Sequence, residues 1–74
     1  MSNEKLRELC IKNGWFTMGT NSQYEKLFYA NKHGCPIDEI ATIIWLCTDC
    51  ESLGTCRREI LETLRENMVD LQAW

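Results

Sequence analysis

Cysteine residues are the main candidates for chemistry in this sequence. Cys47 and Cys50 are separated by two residues, Cys56 follows them, and Cys35 precedes them. A two-residue gap lets both sulfurs of a pair reach one Zn²⁺ ion, which takes four such ligands in a tetrahedron. A zinc-stapled structural module built on these four residues is therefore one alternative. Against it, cysteine is among the most frequently buried residue types, and Cys47 and Cys56 fall on predicted apolar faces.

No set of residues in the sequence forms a catalytic signature. His33 is the single histidine, and nothing supplies the third group that would orient a Cys–His pair. A redox role for Cys47-Thr48-Asp49-Cys50 is also disfavoured, because Cys47 would follow a helix whose C-terminal dipole destabilises a thiolate. We therefore predict a protein that is not an enzyme and that carries no metal or cofactor.

The charged residues are unevenly distributed along the chain. Residues 34–56 contain four carboxylates and neither Lys nor Arg. Asp38 and Glu39 begin a predicted helix, where the helix dipole accounts for negative charge. Asp49 and Glu51 follow that helix, where the dipole disfavours negative charge, so they are the stronger candidates for a functional surface. Together with an aromatic residue expected to be exposed, they make up the predicted partner-binding residues: Asp38, Glu39, Asp49, Glu51 and Tyr29. The predicted partner is a protein with a basic surface.

Direct nucleic-acid binding is disfavoured by the overall charge. The chain has 8 basic and 11 acidic residues and a formal net charge of −3, whereas affinity for phosphate depends on excess Lys and Arg. A small helix-turn-helix-like regulator stays open as an alternative, with Arg57 and Arg58 touching phosphates. However, the connector over residues 48–54 is longer than the turn of that motif.

The first two predicted helices are delimited by capping signals. The first should span Asn3 to Lys12, with Ser2 or Asn3 as its N-cap and Asn13-Gly14 as its stop. Trp15 and Phe16 should then fold back onto it. Ser22-Gln23-Tyr24-Glu25 matches a capping box, which predicts a second helix that follows an N-cap at Ser22 and reaches about Lys32.

The third and fourth predicted helices should form the core. The third begins at Pro36 and is apolar on nearly every side, which predicts that it is buried all round. The fourth should follow an N-cap at Thr55 and reach about Val69 or beyond, with Met68 and Leu71 on its apolar stripe. The predicted centre of the core consists of four residues: Ile40, Ile44, Leu61 and Leu64.

These elements predict the class of protein. We expect one all-α domain over residues 1–74, a small bundle of about four short helices. A core in 74 residues is small, and a homodimer is one way to supplement it. The longest apolar run, from Ile43 to Cys47, is too short to span a membrane. Nothing at the N-terminus resembles a signal peptide, and the five cysteines are an odd number, so we expect a cytoplasmic protein with free thiols.

Three segments resemble small uncharacterised helical proteins of Gram-positive bacteria, their phages and mobile elements. They are Asn13-Gly14-Trp15-Phe16, Tyr24-Glu25-Lys26-Leu27-Phe28-Tyr29-Ala30-Asn31 and Ile40-Ala41-Thr42-Ile43-Ile44-Trp45-Leu46-Cys47. The resemblance covers most of the chain and carries no established activity. It implies a context, because short acidic helical phage products, such as anti-CRISPR and other anti-defence proteins, often bind and block a host protein. The leading hypothesis is an inhibitor or accessory factor of this type.

Overall fold

The structure is a computed structural model that describes the backbone of residues 2–72 and the side chains of residues 2–67. This part of the chain contains no strand and five helices: α1 (Asn3–Lys12), α2 (Asn21–Lys32), α3 (Ile37–Leu46), α4 (Cys50–Leu53) and α5 (Arg57–Gln72). The all-α prediction is confirmed. The number of helices is five because the predicted connector contains the short helix α4. No helix within the described residues is both long enough and apolar enough to cross a membrane.

Helix α1 begins and ends as its capping signals predict. The Ser2 side chain accepts a hydrogen bond from the backbone N–H of Lys5 at 3.1 Å. Gly14 follows the helix with φ of 71°, a conformation that L side chains disfavour. The chain then turns back, and the backbone N–H of Trp15 donates to the Cys10 carbonyl at 2.8 Å. Trp15 and Phe16 are buried in the core cluster to which α1 contributes, and the Phe16 ring lies against Tyr24 of α2.

Helix α2 begins two residues earlier than predicted, because its N-cap is a different residue. Thr20 is the N-cap, and its hydroxyl accepts from the Gln23 N–H at 3.4 Å while the Gln23 side chain accepts from the Thr20 N–H at 2.7 Å. The predicted capping box of Ser22 and Glu25 is therefore wrong. Both pairs have the spacing of a capping box, and Ser22 lies inside the first turn of the helix.

Helix α3 is not buried all round, which corrects another prediction. Ile40, Ala41 and Ile44 face the core, whereas Trp45 is 38% exposed and Leu46 is 66% exposed. The helix packs most extensively on α5 and also on α2, so two sides of it are covered and the remainder faces outward. The apolar composition of α3 therefore predicted burial correctly at Ile40, Ala41 and Ile44 but wrongly at Trp45 and Leu46.

Helix α5 follows Cys56, whose carbonyl accepts from the N–H groups of Glu59 and Ile60. Cys56 thus holds the N-cap position that was predicted for Thr55, and its side chain is exposed rather than buried. The helix continues to Gln72, beyond the predicted minimum. The predicted stripe positions Met68 and Leu71 lie outside the described side chains.

The buried apolar residues form one cluster to which α1, α2, α3, α5 and the loop after α1 all contribute. The largest fully enclosed side chains are those of Leu6, Cys10, Leu27, Ile44, Ile60 and Leu64. Of the four predicted central residues, Ile40, Ile44 and Leu64 are buried. Leu61 is only partly buried, and Ile60 occupies the fully enclosed position beside Leu64. Ile60 and Leu61 are adjacent in sequence and lie about 100° apart around the helix axis, so they do not face the centre of the core equally. The sequence prediction chose Leu61.

Candidate functional site: the junction of two connectors

Two connectors that are distant in sequence meet at one end of the helical bundle. We call this region the junction and define it as residues 14–19, after α1, together with residues 47–54, after α3. The N–H of Phe16 donates to the Thr48 hydroxyl at 2.8 Å, and the N–H of Met18 donates to the Cys47 carbonyl at 2.8 Å. The N–H of Asp49 donates to the Thr17 hydroxyl at 3.1 Å. These three hydrogen bonds fix the two connectors against each other.

The junction contains the one non-glycine residue with positive φ among the described residues. Phe16 has φ of 63°, in the left-handed region that costs an L residue roughly 1–2 kcal/mol. The conformation is maintained by burial of the Phe16 ring, which lies 4.3 Å from the Tyr24 ring between centroids. Gly19 passes so close to this ring that an added Cβ would overlap it. The path of this connector is therefore tightly determined.

An open pocket of about 250 Å³ lies between the two connectors. Its wall combines backbone, hydroxyl, carboxylate and apolar groups, supplied by Gly14, Thr17, Asp49, Ser52 and Leu53. Leu53 forms the apolar part of the wall beside Gly14, and it is 38% exposed. Met18, the neighbour of Thr17 in sequence, is 60% exposed. The junction thus presents apolar side chains next to polar groups.

Asp49 has a structural role that the sequence did not reveal. It is the N-cap of α4, and its Oδ1 accepts from the N–H of Ser52 at 3.2 Å. The sequence predicted no helix in this connector and therefore indicated no local role for the Asp49 carboxylate. The short helix α4 supplies that role. Glu51 lies in the first turn of α4. Neither carboxylate forms an ion pair within the described residues, in contrast to Asp38.

The five predicted partner-binding residues lie in three separate places. Asp38 and Glu39 are in the first turn of α3, and Asp49 and Glu51 lie beyond its other end, roughly 15 Å away along a helix of ten residues. Tyr29 is 65% exposed on α2, and its ring is 4.1 Å from that of His33 between centroids. The structure therefore does not gather these residues into one surface.

The acidic residues at the start of α3 are partly neutralised by α5. Asp38 Oδ1 lies 3.6 Å from Arg65 Nη2. Arg57 Nη2 donates to the Asp38 carbonyl at 3.1 Å, and Arg57 Nε donates to the Thr42 hydroxyl at 2.8 Å. Residues 34–56 contain no basic residue, but in the folded protein Arg57 and Arg65 of α5 contact Asp38 at the start of α3.

The same contacts bear on the DNA-binding alternative. Arg57 is committed to the α3–α5 contact, and Arg58 pairs with Glu62 at 3.2 Å. The helix α4 also stands between α3 and α5, where a helix-turn-helix has only a short turn. Arg57 is thus engaged within the protein, whereas the Arg58 side chain is 85% exposed beside Glu62.

The cysteines of the zinc alternative differ in their surroundings. Cys47 is buried, Cys35 and Cys50 are partly buried, and Cys56 is exposed, all with free thiols. Within the described residues, no three Cys, His, Asp or Glu side chains are placed to hold one metal ion. Burial raises the pKa of Cys47, partly opposed by Lys26, and burial raises the pKa of Cys10 to about 12. These two thiols are therefore kept in their protonated, unreactive form at neutral pH.

A second concave surface lies between α2 and α3, near the junction. This groove of about 150 Å³ is lined by Gln23, Lys26, Ile43, Leu46 and Cys47. Its most exposed apolar residue is Leu46. It differs from the junction pocket in having a lysine where the pocket has a carboxylate.

Several junction residues were not predicted as a site from the sequence. Gly14, Thr17, Met18, Ser52 and Leu53 lie in segments that were interpreted as ordinary loops. The pairing of two connectors across about 30 positions leaves no periodic signal. The one available hint was Asp49-Cys50-Glu51-Ser52, since Asp followed three residues later by a small polar residue is compatible with a capped turn. No family model, curated protein or solved structure significantly matches the chain.

Proposed function

We propose that this protein is a non-enzymatic binding protein that acts by contacting another protein through the junction. One observation carries the proposal, namely the exposed apolar side chains of Met18 and Leu53 beside two carboxylates without an ion pair among the described residues. Apolar anchors surrounded by polar groups are typical of the centre and rim of protein–protein interfaces.

The charge of the junction supports a partner with a basic surface. Asp49 and Glu51 are exposed, and exposed rim charges mainly increase the rate of association with an oppositely charged surface. Asp38 and Glu39 contribute less to this proposal than the sequence suggested, because Arg65 lies against Asp38. Tyr29, which is on another part of the molecule, is outside the proposed contact.

The biological setting is the part of the proposal that rests on the resemblance described above. An inhibitor or accessory factor encoded by a phage or mobile element, of the anti-CRISPR or anti-defence type, would work by such a contact. The proposed location is the cytoplasm, which agrees with five free thiols in the described part of the chain. A second copy of the chain is a further candidate partner, but the junction's negative charge disfavours self-association there.

The proposal can be tested by affinity capture from bacterial lysate followed by mass spectrometry. Wild-type protein should retain a partner that is lost or greatly reduced with Met18→Ser/Leu53→Ser, because both side chains are largely outside the core. The control is Ile11→Ser/Tyr29→Ser, which changes two exposed apolar residues of α1 and α2 outside residues 14–19 and 47–54. The double variants should keep the wild-type far-ultraviolet circular dichroism spectrum.

The role of charge can be tested on the captured partner by measuring association rates. Asp49→Asn/Glu51→Gln should slow association severalfold at low salt, and the difference should shrink as salt approaches about 0.5 M because exposed charges are screened. Asparagine still caps a helix, so α4 should remain intact. A partner bound equally well by wild type and by Met18→Ser/Leu53→Ser would exclude the junction as the contact surface. Association unaffected by Asp49→Asn/Glu51→Gln would exclude these two carboxylates as part of the contact.

A further inference from the structure

We infer that the junction pocket receives an arginine side chain of the partner, an inference that rests on the proposed function and names the group recognised. The pocket is concave, about 250 Å³ in volume and open to solvent. It has one carboxylate, two hydroxyl-bearing side chains and one apolar wall, from Asp49, Thr17, Ser52 and Leu53. This combination matches the two parts of an arginine, an apolar stem and a cationic planar head.

The polar groups of the pocket are arranged to accept hydrogen bonds. Asp49 uses Oδ1 to cap α4, and a carboxylate has acceptor positions on both oxygens. The Thr17 hydroxyl oxygen accepts from the Asp49 N–H and retains a second lone pair. A guanidinium group carries five N–H donors in one plane and can reach several such acceptors at once.

The apolar wall favours arginine over a smaller cation. The Leu53 side chain is 38% exposed and borders the pocket beside Gly14. Arginine packs its methylene stem against apolar surface while its charged head reaches polar groups. Guanidinium is also more weakly hydrated than the ammonium group of lysine, so it loses less when it enters a partly enclosed site.

The pocket is formed before any partner arrives. Its two walls are joined by the hydrogen bonds from Met18 to Cys47 and from Asp49 to Thr17, and by the bond from Phe16 to the buried Thr48 hydroxyl. A preformed site avoids the entropy cost of ordering two loops on binding. The Asp49 carboxylate is therefore held in place before a cationic side chain binds.

The inference can be tested by nuclear magnetic resonance titration of ¹⁵N-labelled protein with the peptide acetyl-Ala-Arg-Leu-amide. Saturable shifts are expected at the amide signals of Gly14, Thr17, Ser52 and Leu53. The same peptide with citrulline in place of arginine has nearly the same shape and no charge, and it should bind at least about tenfold more weakly. The lysine peptide should fall between the two.

Two protein variants assign the effect to the pocket. Asp49→Asn removes the charge but keeps the capping atom, and Leu53→Ala removes the apolar wall. Each should weaken binding of the arginine peptide severalfold, while Glu66→Gln, which removes an exposed carboxylate nine residues beyond the start of α5, should not. Equal binding of arginine and citrulline peptides, shifts located elsewhere, or no shift at millimolar peptide would each overturn the inference.

These outcomes are separate from those of the capture experiment. If the partner depends on Met18 and Leu53 but the arginine peptide does not bind the pocket, the proposed function stands and this inference is wrong. If the peptide binds in the pocket while capture is insensitive to those two side chains, the pocket recognises arginine but the proposed contact surface is wrong.

Discussion

The Thr48 hydroxyl group connects two connectors and a helix. Its oxygen accepts from the Phe16 N–H at 2.8 Å and donates its own proton to the Ile44 carbonyl at 2.6 Å. Thr48 is 6% exposed, and it is the one buried polar residue among the described side chains. The Phe16 N–H lies outside any helix, and Thr48 supplies its acceptor.

Replacing Thr48 by Val should therefore destabilise the protein. Valine has nearly the same shape, but it leaves the buried Phe16 N–H without an acceptor, which costs about 1–3 kcal/mol. The Ile44 carbonyl still accepts from the Cys47 N–H, so only one group loses its partner. Urea denaturation should show the loss, whereas Thr63→Val, which removes an exposed hydroxyl bond to Glu59, should stay within about 0.5 kcal/mol of wild type. Equal effects of the two variants would contradict the role given to Thr48.

Cys10 makes stability depend on pH in the alkaline range. Burial raises the pKa of this thiol from 9.0 to about 12, so above pH 9 the unfolded chain releases a proton that the folded protein retains. The stabilisation is complete below pH 9 and is lost as pH rises towards 12. Burial shifts the pKa of Cys47 and Tyr24 in the same direction.

The Cys10 contribution can be isolated by comparing urea midpoints at pH 8 and pH 10.5. Cys10→Ala should be less stable at both pH values, by roughly 1–3 kcal/mol at pH 8, because it removes a buried group. It should nevertheless lose less stability between the two pH values than wild type. Cys56→Ala, at an exposed position, should retain both the midpoint and the pH dependence. An unchanged pH dependence in Cys10→Ala would assign the effect to other groups.

At the scale of the helices, the N-terminal boundary of α1 could be predicted from the sequence, whereas that of α2 could not. The bounds of α1 were predictable because its two candidate caps, Ser2 and Asn3, are adjacent and a single glycine follows the helix. At α2, Thr20–Gln23 and Ser22–Glu25 have the same spacing, and the choice depends on where the preceding connector comes out of the junction. That path is set by bonds to residues 47–49, which no local pattern contains.

The choice of cap at α2 has a measurable consequence. Thr20→Ala removes the hydroxyl that accepts from the Gln23 N–H, while the backbone N–H of residue 20 can still donate to the Gln23 side chain. The substitution should cost about 1 kcal/mol. Ser22→Ala changes a residue inside the first turn to the best helix former, and it should have no cost or be slightly stabilising. Thermal or urea denaturation of the two variants decides between the caps, and a larger loss in Ser22→Ala would restore the one predicted from the sequence.

Helix α3 shows a second limit on prediction from sequence. Its central position in the core followed correctly from its composition, and Ile40, Ala41 and Ile44 are buried. The exposure of its outward face did not follow from its composition. A helix that is apolar all round can be covered by the core on every side or left partly exposed. Trp45 and Leu46 are exposed because only α2 and α5 cover the helix.

The two faces of α3 should respond differently to truncation. Ile44→Ala removes a fully enclosed side chain and should cost about 2–5 kcal/mol, comparable with the whole stability of a domain this small. Leu46→Ala truncates a side chain that is 66% exposed and should change stability by less than about 0.5 kcal/mol. Similar losses in the two variants, measured by thermal unfolding, would contradict this placement of the helix faces.

At the scale of the whole molecule, the candidate site was predictable only in part. Asp49 and Glu51 were selected from the sequence because of their charge, and they lie at the junction. Their neighbours across the pocket, Gly14 and Thr17, are about 35 positions earlier in the chain, and the connection depends on α2 and α3 packing so that two loops meet. Local signals in this sequence specify helices, whereas the site arises from how the helices are assembled.

The bonds that close the junction also constrain the order in which the molecule is made. Phe16 and Thr48 are 32 positions apart, so during synthesis on the ribosome the first connector is complete long before its partner has been translated. Until then, the hydrogen bond from the Phe16 N–H to the Thr48 hydroxyl cannot form, and the junction stays open. Closure of the core needs a later segment as well, because α5 supplies the fully buried side chains of Ile60 and Leu64. Resistance of the nascent chain to proteases should therefore appear only after both Thr48 and Leu64 have emerged from the ribosome.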